Sequence, residues 1–192
     1  MTLAVVLIVA YLLGSIPTSY IVVYRYTGRD IRTMGTGNPG AMNVLDTVGV
    51  VPALISGSGD ILKAIAAVGI AYFAGLDDIG AVAAALAVVI GHDYSVLLRL
   101  NGGNGMAAAV GGFAALLPLA TLIATLVAVL LCLVLHSRRI GGLVGLLLLP
   151  GIAYTLGAPE TKLIGVLVLL AFTAVKIVRS EGFSHAHVRS DR

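Results

Sequence analysis

Two glycine-rich segments carry residue types that suit the binding of an anion. The first, residues 35–43, reads GTGNPGAMN, and the second, residues 101–105, reads NGGNG. Glycine allows positive φ and close backbone approach, so consecutive N–H groups in such loops can form a concave anion site. A helix that begins near Ala41 would add a favourable dipole to the first loop. We therefore predict phosphate cradles at both loops, with plain glycine-rich turns as the alternative.

Ionisable residues inside apolar stretches form a second set of candidates. Asp60 and Lys63 are three residues apart, so on a helix they share one face and can pair. Because an unpaired charge in a bilayer costs about 2.5–3.5 kcal/mol on insertion scales, we expect a structural ion pair that locks helices. His92, beside Asp93, precedes the second glycine loop. It either makes a hydrogen bond for helix packing or faces the site.

The sequence shows no motif for metal binding, nucleotide binding or a serine-based catalytic triad. No metal-ligand spacing, P-loop lysine or serine–histidine–acid arrangement is visible, so neither a metal nor a cofactor is expected. Cys132, the only cysteine, lies in an apolar run and is expected to be an inert thiol.

The elements that position these candidates are predicted to be membrane helices. Of the 192 residues, 59% are hydrophobic and only 11% are charged, and the mean hydropathy is +1.05. A soluble domain carries roughly 25% charged residues, because its surface must be hydrated. The basic residues lie at the ends of apolar stretches, so no nucleic-acid partner is expected. These properties predict an all-α polytopic helix bundle in a lipid membrane.

Seven apolar stretches are candidate spans, although a crossing helix needs about 20 residues and some are shorter. The stretch 106–136 is ambiguous, because it can be one long helix or two short helices that turn near Pro118. Together the spans form one membrane domain, residues 1–180, followed by a polar cytoplasmic tail, residues 181–192. The candidates are residues 3–24, 50–75, 79–98, 106–118, 119–136, 141–157 and 162–178.

The distribution of basic residues decides between six and seven spans. Arg25, Arg29 and Arg32 follow the first span, so the positive-inside rule places that loop in the cytoplasm and the N-terminus outside. If residues 106–136 cross twice, the arginines after them and those of the tail also lie inside. Lys162 is then alone in an outer loop. We predict seven spans, with the N-terminus outside and the C-terminus cytoplasmic.

Four motifs occur in order along nearly the whole chain. Residues 11–17 read YLLGSIP, residues 35–45 read GTGNPGAMNVL, residues 60–64 read DILKA, and Gly91-His92 precedes residues 101–105. They resemble the opening, the GSGNxGATNVLR motif, the DxxKG element and the GH…KGGKG block of the bacterial acyl-phosphate:glycerol-3-phosphate acyltransferases. Members of that family are small membrane enzymes that make lysophosphatidic acid in phospholipid biosynthesis.

The resemblance implies seven spans in the bacterial inner membrane, with the motif loops on the cytoplasmic side. Acyl phosphate would meet glycerol 3-phosphate there, the glycerol hydroxyl would attack the acyl carbonyl, and inorganic phosphate would leave. His92, which polarises or orients, and Asn43, which donates a hydrogen bond, are the implied catalytic residues. The substrate-binding residues expected from the matching segments are Thr36, Gly37, Asn38, Gly40, Gly102, Gly103, Asn104, Gly105 and Arg139.

The chain departs from the family pattern at positions expected to meet anionic substrates. The family arginine after NVL is Asp46, and the two lysines of KGGKG are Asn101 and Asn104. The segment 137–141, SRRIG, stands where the family has tyrosine–serine–serine–leucine–glycine. The closing histidine-x-x-asparagine-isoleucine element is not recognisable around residues 175–181.

These departures leave two questions open. The first is whether Arg138 or Arg139 restores the missing positive charge at the phosphate site, or whether both residues only set the topology. Arg139 is the favoured candidate for the phosphate site, because it aligns with the family serine. The functional alternatives to an acyltransferase are a non-catalytic relative that binds lipid or acyl phosphate, and a small transporter.

Overall fold

The computed structural model describes residues 2–190, without the side chains of Arg139 and of residues 180–190. Within that part every regular element is helical, which confirms the predicted all-α class. Two single-turn 3-10 helices, Ile31–Thr33 and Val96–Leu98, accompany nine α-helices. The α-helices are α1 (Thr2–Ser15), α2 (Thr18–Thr27), α3 (Ala41–Thr47), α4 (Val50–Phe73), α5 (Asp78–Asp93), α6 (Met106–Leu116), α7 (Pro118–Val134), α8 (Arg138–Thr155) and α9 (Glu160–Ser190).

Apolar helices of two lengths make up the bundle. Four segments are long and apolar enough to cross a membrane, namely Thr2–Thr27, Val50–Phe73, Asp78–Leu98 and Glu160–Arg179. Three others are apolar but shorter, namely Met106–Leu116, Pro118–Val134 and Ile140–Thr155. The helix break predicted near Pro118 is confirmed. Proline occupies the first position of α7, and the preceding residue has a non-helical φ of −140°, as expected for a residue before proline.

The first span is not the continuous helix that its hydropathy predicts. The helix stops at Ser15 and restarts at Thr18, because Pro17 lacks an N–H group and disfavours helical geometry in the residue before it. The break leaves the carbonyl groups of Ser15 and Ile16 without helical partners. Both accept hydrogen bonds from distant side chains: Ser15 from the Ser95 hydroxyl, which follows α5, and Ile16 from the amine of Lys63 in α4.

Small side chains let the helices approach closely at the centre of the bundle. Helix α5 lies there, against α1, α4, α6 and α9. A Cβ added to Gly14 of α1 would lie 2.1 Å from the carbonyl oxygen of Val88 in α5, so only glycine allows this crossing. Such contacts replace the hydrophobic effect as the source of cohesion between helices in lipid. The core is accordingly rich in alanine, including Ala64, Ala67, Ala84, Ala85, Ala108 and Ala109.

Polar side chains concentrate at the two ends of the bundle. At one end, called here the motif end, Arg138 at the start of α8 lies 3.1 Å from Asp46 of α3. At the same end Lys176 of α9 lies 3.4 Å from the carbonyl oxygen of Asp93, the last residue of α5. Both glycine loops connect to helices at this end.

The second end, called here the opposite end, joins α4, α5 and α9. Lys162 near the start of α9 lies 3.3 Å from Asp78 at the start of α5. The Tyr72 hydroxyl, near the end of α4, donates to the same carboxylate at 2.8 Å. From α4 onward, therefore, α4, α6 and α8 begin at the motif end, and α5 and α9 begin at the opposite end.

Candidate active site

A buried polar network joins α2, α4 and α5 at the motif end. Asp60 Oδ1 lies 2.8 Å from Lys63 Nζ and 3.3 Å from His92 Nδ1. It also accepts a hydrogen bond from the Thr18 hydroxyl. Each ion in a low-dielectric interior carries a desolvation penalty of several kcal/mol, which only close partners offset. The pair expected from sequence spacing thus extends to His92, a link that the sequence did not reveal.

Lys63 fixes the orientation of the His92 ring. An ammonium group has three N–H donors, and three acceptors surround this one: Asp60 Oδ1 at 2.8 Å, the Ile16 carbonyl at 2.9 Å and His92 Nδ1 at 3.1 Å. Because Nδ1 lies closer to Lys63 than to Asp60, we assign it as the acceptor and place the ring proton on Nε2. The helix break at Pro17 frees the Ile16 carbonyl for this network.

The second glycine loop packs directly on His92. The N–H of Gly103 donates to the His92 carbonyl at 3.1 Å, and that of Gly102 donates to the Asp93 carbonyl at 3.2 Å. A Cβ added to Gly103 would lie 2.3 Å from His92 Nε2, so a larger residue displaces the ring or the loop. Helix α6 begins immediately after the loop at Met106, and its first N–H groups have no intrahelical acceptors. An imidazole N–H and a helix N-terminus therefore lie side by side.

Asn43 holds the first glycine loop in shape. Its amide nitrogen donates to the carbonyl groups of Met34 at 3.0 Å and Asn38 at 2.9 Å, and its oxygen accepts from the Thr36 N–H at 3.1 Å. The residue is buried, and helix α3 begins at Ala41, as expected. The Asn43 side chain is thus engaged within the loop. Its contact with a substrate, expected from the family motif, stays a prediction.

Two further contacts place the first loop beside the network and the second loop. Helix α3 packs on α4 where an added Cβ at Gly57 would lie 3.3 Å from the Ala41 Cβ, one turn before Asp60. Arg32 donates to the Leu98 carbonyl at 3.4 Å, just before the second glycine loop. The same guanidinium pairs with Asp30 at 2.7 Å, and this hydrogen bond holds the pKa of the Asp30 carboxyl below its ordinary value.

Two residues at which the chain departs from the family pattern, Arg138 and Asp46, form an ion pair. Arg138 Nη2 lies 3.1 Å from Asp46 Oδ1, and Nη1 lies 3.6 Å from the sulfur of Met42. Both charged side chains are more than half exposed. Arg138 is therefore engaged by the carboxylate that replaces the family arginine. The side chain of Arg139 lies outside the described part of the structure, so its predicted phosphate contact stays a prediction.

A groove, called here the α6–α8 groove, runs from the motif end between α6, α7 and α8. Its mouth encloses about 560 Å3 and its apolar inner part about 200 Å3, and Met106, Gly142 and Leu146 line both. The mouth is also lined by Met42, His136, Ser137, Arg138, Leu143 and Ile177. The inner part is also lined by Val110, Phe113, Thr121, Ala124, Thr125, Ala128, Val129, Cys132, Gly145 and Leu149.

The structure thus brings His92, Gly102 and Gly103 into one place, with Asp60 and Lys63 behind the imidazole. Thr36, Gly37, Asn38 and Gly40 lie in the neighbouring first loop, and Asn104 and Gly105 complete the second loop. Sequence reasoning missed Lys176, the only described lysine of the motif end besides Lys63. A lysine in the apolar stretch 162–178 was the available signal.

Comparison with known proteins gives one consistent result. The model of the glycerol-3-phosphate acyltransferase family matches residues 4–182. The chain is 40% identical to the glycerol-3-phosphate acyltransferase of Clostridioides difficile over 147 residues, 74% of this chain and 72% of that protein. It is 36% identical to the enzyme of that name from Trichlorobacter lovleyi, over 87% of this chain and 86% of that protein.

Solved structures agree with the sequence relatives. The crystal structure of PlsY (YgiH), an integral membrane glycerol 3-phosphate acyltransferase in its glycerol 3-phosphate form, matches with a TM-score of 0.85 and 27% identity. That match covers 95% of this chain and 91% of the PlsY chain. The lysophosphatidic acid form matches with a TM-score of 0.82, over 92% and 88% of the two chains. The chain belongs to the glycerol-3-phosphate acyltransferase family of integral membrane enzymes.

Proposed function

We propose that the motif end is the site at which this chain transfers an acyl group from acyl phosphate to glycerol 3-phosphate. The observation that carries this assignment is the packing of the second glycine loop on the His92 imidazole. The relatives support the reaction, because the proteins compared above, in sequence and in structure, are glycerol-3-phosphate acyltransferases. The product is lysophosphatidic acid, a precursor in phospholipid synthesis.

The reaction balances without a nucleophile from the protein. A hydroxyl oxygen of glycerol 3-phosphate forms a bond to the acyl carbon, and the bond from that carbon to the phosphate oxygen breaks. The hydroxyl proton leaves with the phosphate as hydrogen phosphate. Because the donor is already activated, the protein needs mainly to orient the two substrates and to stabilise negative charge that develops on oxygen. No metal or cofactor is required by this scheme.

His92 is the residue placed to stabilise that charge. With Lys63 donating to Nδ1, the ring presents its Nε2–H toward Gly103 and the start of α6. A donor whose direction is fixed before the substrate arrives costs no reorganisation during the reaction. The two glycine loops then bind the phosphate groups through backbone N–H groups, with Thr36, Gly37, Asn38 and Gly40 in one loop and Gly102, Gly103, Asn104 and Gly105 in the other. Asn43 keeps the first loop in position.

The α6–α8 groove is the proposed site of the acyl chain. Its mouth lies between Met42, near the end of the first loop, and Met106, just after the second. Its inner lining is apolar, and Arg138 at the mouth is eleven residues from Leu149 on the same helix. That separation is about 16 Å along a helix, close to half of the roughly 30 Å hydrocarbon core. A chain one leaflet long fits such a groove with its acyl phosphate at the polar mouth.

The proposed topology has seven spans, with the motif end in the cytoplasm and the N-terminus outside. The alternation of the described helices between the two ends supports this arrangement, because the arginines at positions 32 and 138 lie at the motif end and Lys162 lies at the opposite end. A reporter fused after residue 139 should read cytoplasmic. A periplasmic reading there would remove the seven-span topology. The single domain over residues 1–180 and the cytoplasmic tail over residues 181–192 belong to the same proposal, in the bacterial inner membrane.

Acyl transfer by the purified protein tests the function itself. Full-length protein in detergent or nanodiscs is given palmitoyl phosphate and radiolabelled glycerol 3-phosphate. We expect labelled lysophosphatidic acid and an equal amount of inorganic phosphate. His92→Gln should fold and lose most of the rate. A folded wild-type protein that binds glycerol 3-phosphate but forms no product would instead support a non-catalytic relative.

A further inference from the structure

A cation from α9 shares a backbone acceptor with the second glycine loop, although the loop itself carries no cation. Residues 101–105 contain no lysine or arginine, and Asn101 and Asn104 stand where the resembling family has lysines. Lys176 Nζ lies 3.4 Å from the Asp93 carbonyl oxygen, the same atom that accepts from the Gly102 N–H. The ammonium group and the loop therefore meet at a single backbone carbonyl.

The donors of Lys176 are largely unused, in contrast to those of Lys63. Lys63 has three acceptors within 3.1 Å, one for each N–H. Lys176 has one long hydrogen bond and a contact with the Tyr94 ring, whose centroid lies 4.1 Å from Nζ. Because an ammonium group has three donors, two remain for an anion among the described contacts. The Lys176 residue is half-buried.

The Asp93 side chain lies buried behind the second glycine loop. It is fully buried, and neither carboxyl oxygen has a hydrogen-bond partner among the described residues. A Cβ added to Gly105 would lie 2.7 Å from Asp93 Oδ1, so the carboxylate lies directly behind the loop.

Three described arginines of the motif end are less suited to this task. Arg32 is held by Asp30 at 2.7 Å, and Arg138 is held by Asp46 at 3.1 Å. Arg99 is exposed and makes no described side-chain hydrogen bond to the loop. Lys176 combines unused donors with a backbone acceptor that it shares with the loop.

We propose that Lys176 is a phosphate-binding residue of this enzyme and supplies the positive charge that the second glycine loop lacks. The inference rests on the proposed function, since it assigns a residue to the same site. The group recognised is a phosphate monoester, either that of glycerol 3-phosphate or that of the acyl phosphate. Two donors from Lys176 and the backbone N–H groups at the start of α6 would then contact the same anion.

A matched pair of lysine variants on one helix tests this assignment. Lys176→Met and Lys162→Met remove the same charge from two positions of α9, one at each end of the bundle, and both keep most of the apolar stem. Calorimetry measures binding of glycerol 3-phosphate to the full-length protein, and kinetics measure KM separately for each substrate. Loss of a charge-assisted contact weakens binding about ten- to a hundredfold. We expect that loss in Lys176→Met, either in the affinity for glycerol 3-phosphate or in KM for acyl phosphate, and wild-type values of both in Lys162→Met.

The substrate whose KM rises identifies which phosphate Lys176 binds. Lys176→Arg should keep most of the affinity, and Asn104→Lys should partly restore it in the Lys176→Met protein. Wild-type affinity and KM values for both substrates in folded Lys176→Met would overturn the proposal, as would equal losses in both methionine variants. Absence of acyl transfer by the wild-type protein is a separate result, which overturns the proposed function. If wild-type protein also bound neither substrate, the Lys176 assignment would fall with it.

Discussion

Each end of the bundle holds a lysine–carboxylate pair, and the surroundings of the two pairs differ. At the motif end, Asp60 and Lys63 are 2.8 Å apart, with side chains 1% and 6% exposed. At the opposite end, Asp78 and Lys162 are 3.3 Å apart, with side chains 32% and 20% exposed. The first pair is joined by His92 and by the glycine loop on top of it. The second has a tyrosine hydroxyl as its neighbour.

The difference in burial changes what each pair contributes to stability. A partly exposed pair contributes about 0–1 kcal/mol and costs little to keep. A buried pair is often no more stabilising than apolar residues of the same volume, because desolvation offsets the attraction. Stability alone therefore gives no reason to keep Asp60 and Lys63. In the proposed site, their role is to orient the His92 ring through the contacts at Nδ1.

The largest effect is expected from breaking the buried pair on one side only. Asp60→Leu or Lys63→Met leaves the other charge buried without its partner, which costs about 3–5 kcal/mol of stability. The double variant should recover much of that loss while remaining inactive, since His92 is no longer oriented. Lys162→Met should cost less than about 1 kcal/mol. Denaturation of the purified proteins and the acyl-transfer rate are the measurements.

A loss in the double variant equal to the sum of the two single losses would show that the residues act separately. Full activity in a folded double variant would show that the network has no catalytic role.

A smaller effect is expected from removing, at each end of the bundle, one side chain that stabilises the local backbone. Asn43→Ala removes three hydrogen bonds of the first glycine loop, at about 1–3 kcal/mol for the groups left unsatisfied. Because the loop then loses its shape, KM for glycerol 3-phosphate should rise. Asp77→Ala, at the opposite end, removes the cap of α5 and should cost about 1 kcal/mol of stability with unchanged KM. An unchanged KM in the Asn43 variant would separate the first loop from phosphate binding.

The two ends of α8 allow the same comparison for the acyl chain. An added Cβ meets no atom within 4 Å at either Gly142, which lines the groove, or Gly151, which is exposed toward the opposite end. Gly142→Leu should displace about two methylene groups of the acyl chain, at about 0.8 kcal/mol each, and raise KM for acyl phosphate roughly tenfold. Gly151→Leu should leave that KM unchanged. If neither variant changes it, the acyl chain does not lie in the groove.

The smallest effect is expected at the exposed pair of the motif end. Asp46 is paired with Arg138, so its negative charge is offset locally. Asp46→Asn should change stability by less than about 1 kcal/mol and KM for glycerol 3-phosphate by less than about threefold. An improvement of tenfold or more would mean that Asp46 repels the substrate despite Arg138.

Much of the helical arrangement was predictable, because hydropathy and proline act locally. The turn near Pro118 follows from proline at a helix start, and the apolar stretches coincide with the helices. The break at Pro17 was missed, since the residues on both sides are apolar and the hydropathy is continuous. Its consequence, an Ile16 carbonyl bound to Lys63, depends on packing between residues 47 positions apart. No local pattern contains that information.

The candidate site, like the fold, could be predicted from the sequence only in part. The spacing of Asp60 and Lys63 predicts that they share a helix face, and the glycine loops are visible as motifs. The approach of His92 to them depends on the packing of α5 against α4, and the Asp46–Arg138 pair joins residues 92 positions apart. Lys176 belongs to no motif that the sequence reveals. Its position relative to the second glycine loop follows only from the packing of α9 in the folded chain.

The most direct test of the central claim is the acyl-transfer rate of two glycine-to-alanine variants. Gly103→Ala places a Cβ 2.3 Å from His92 Nε2, whereas Gly69→Ala, on the exposed face of α4, meets no atom within 4 Å. A misplacement of about 1 Å at a reacting centre can cost about a hundredfold in rate. We predict a loss of that order for Gly103→Ala and an unchanged rate for Gly69→Ala, with both proteins folded. A wild-type rate in Gly103→Ala would contradict the assignment of acyl transfer to the contact between the second glycine loop and His92.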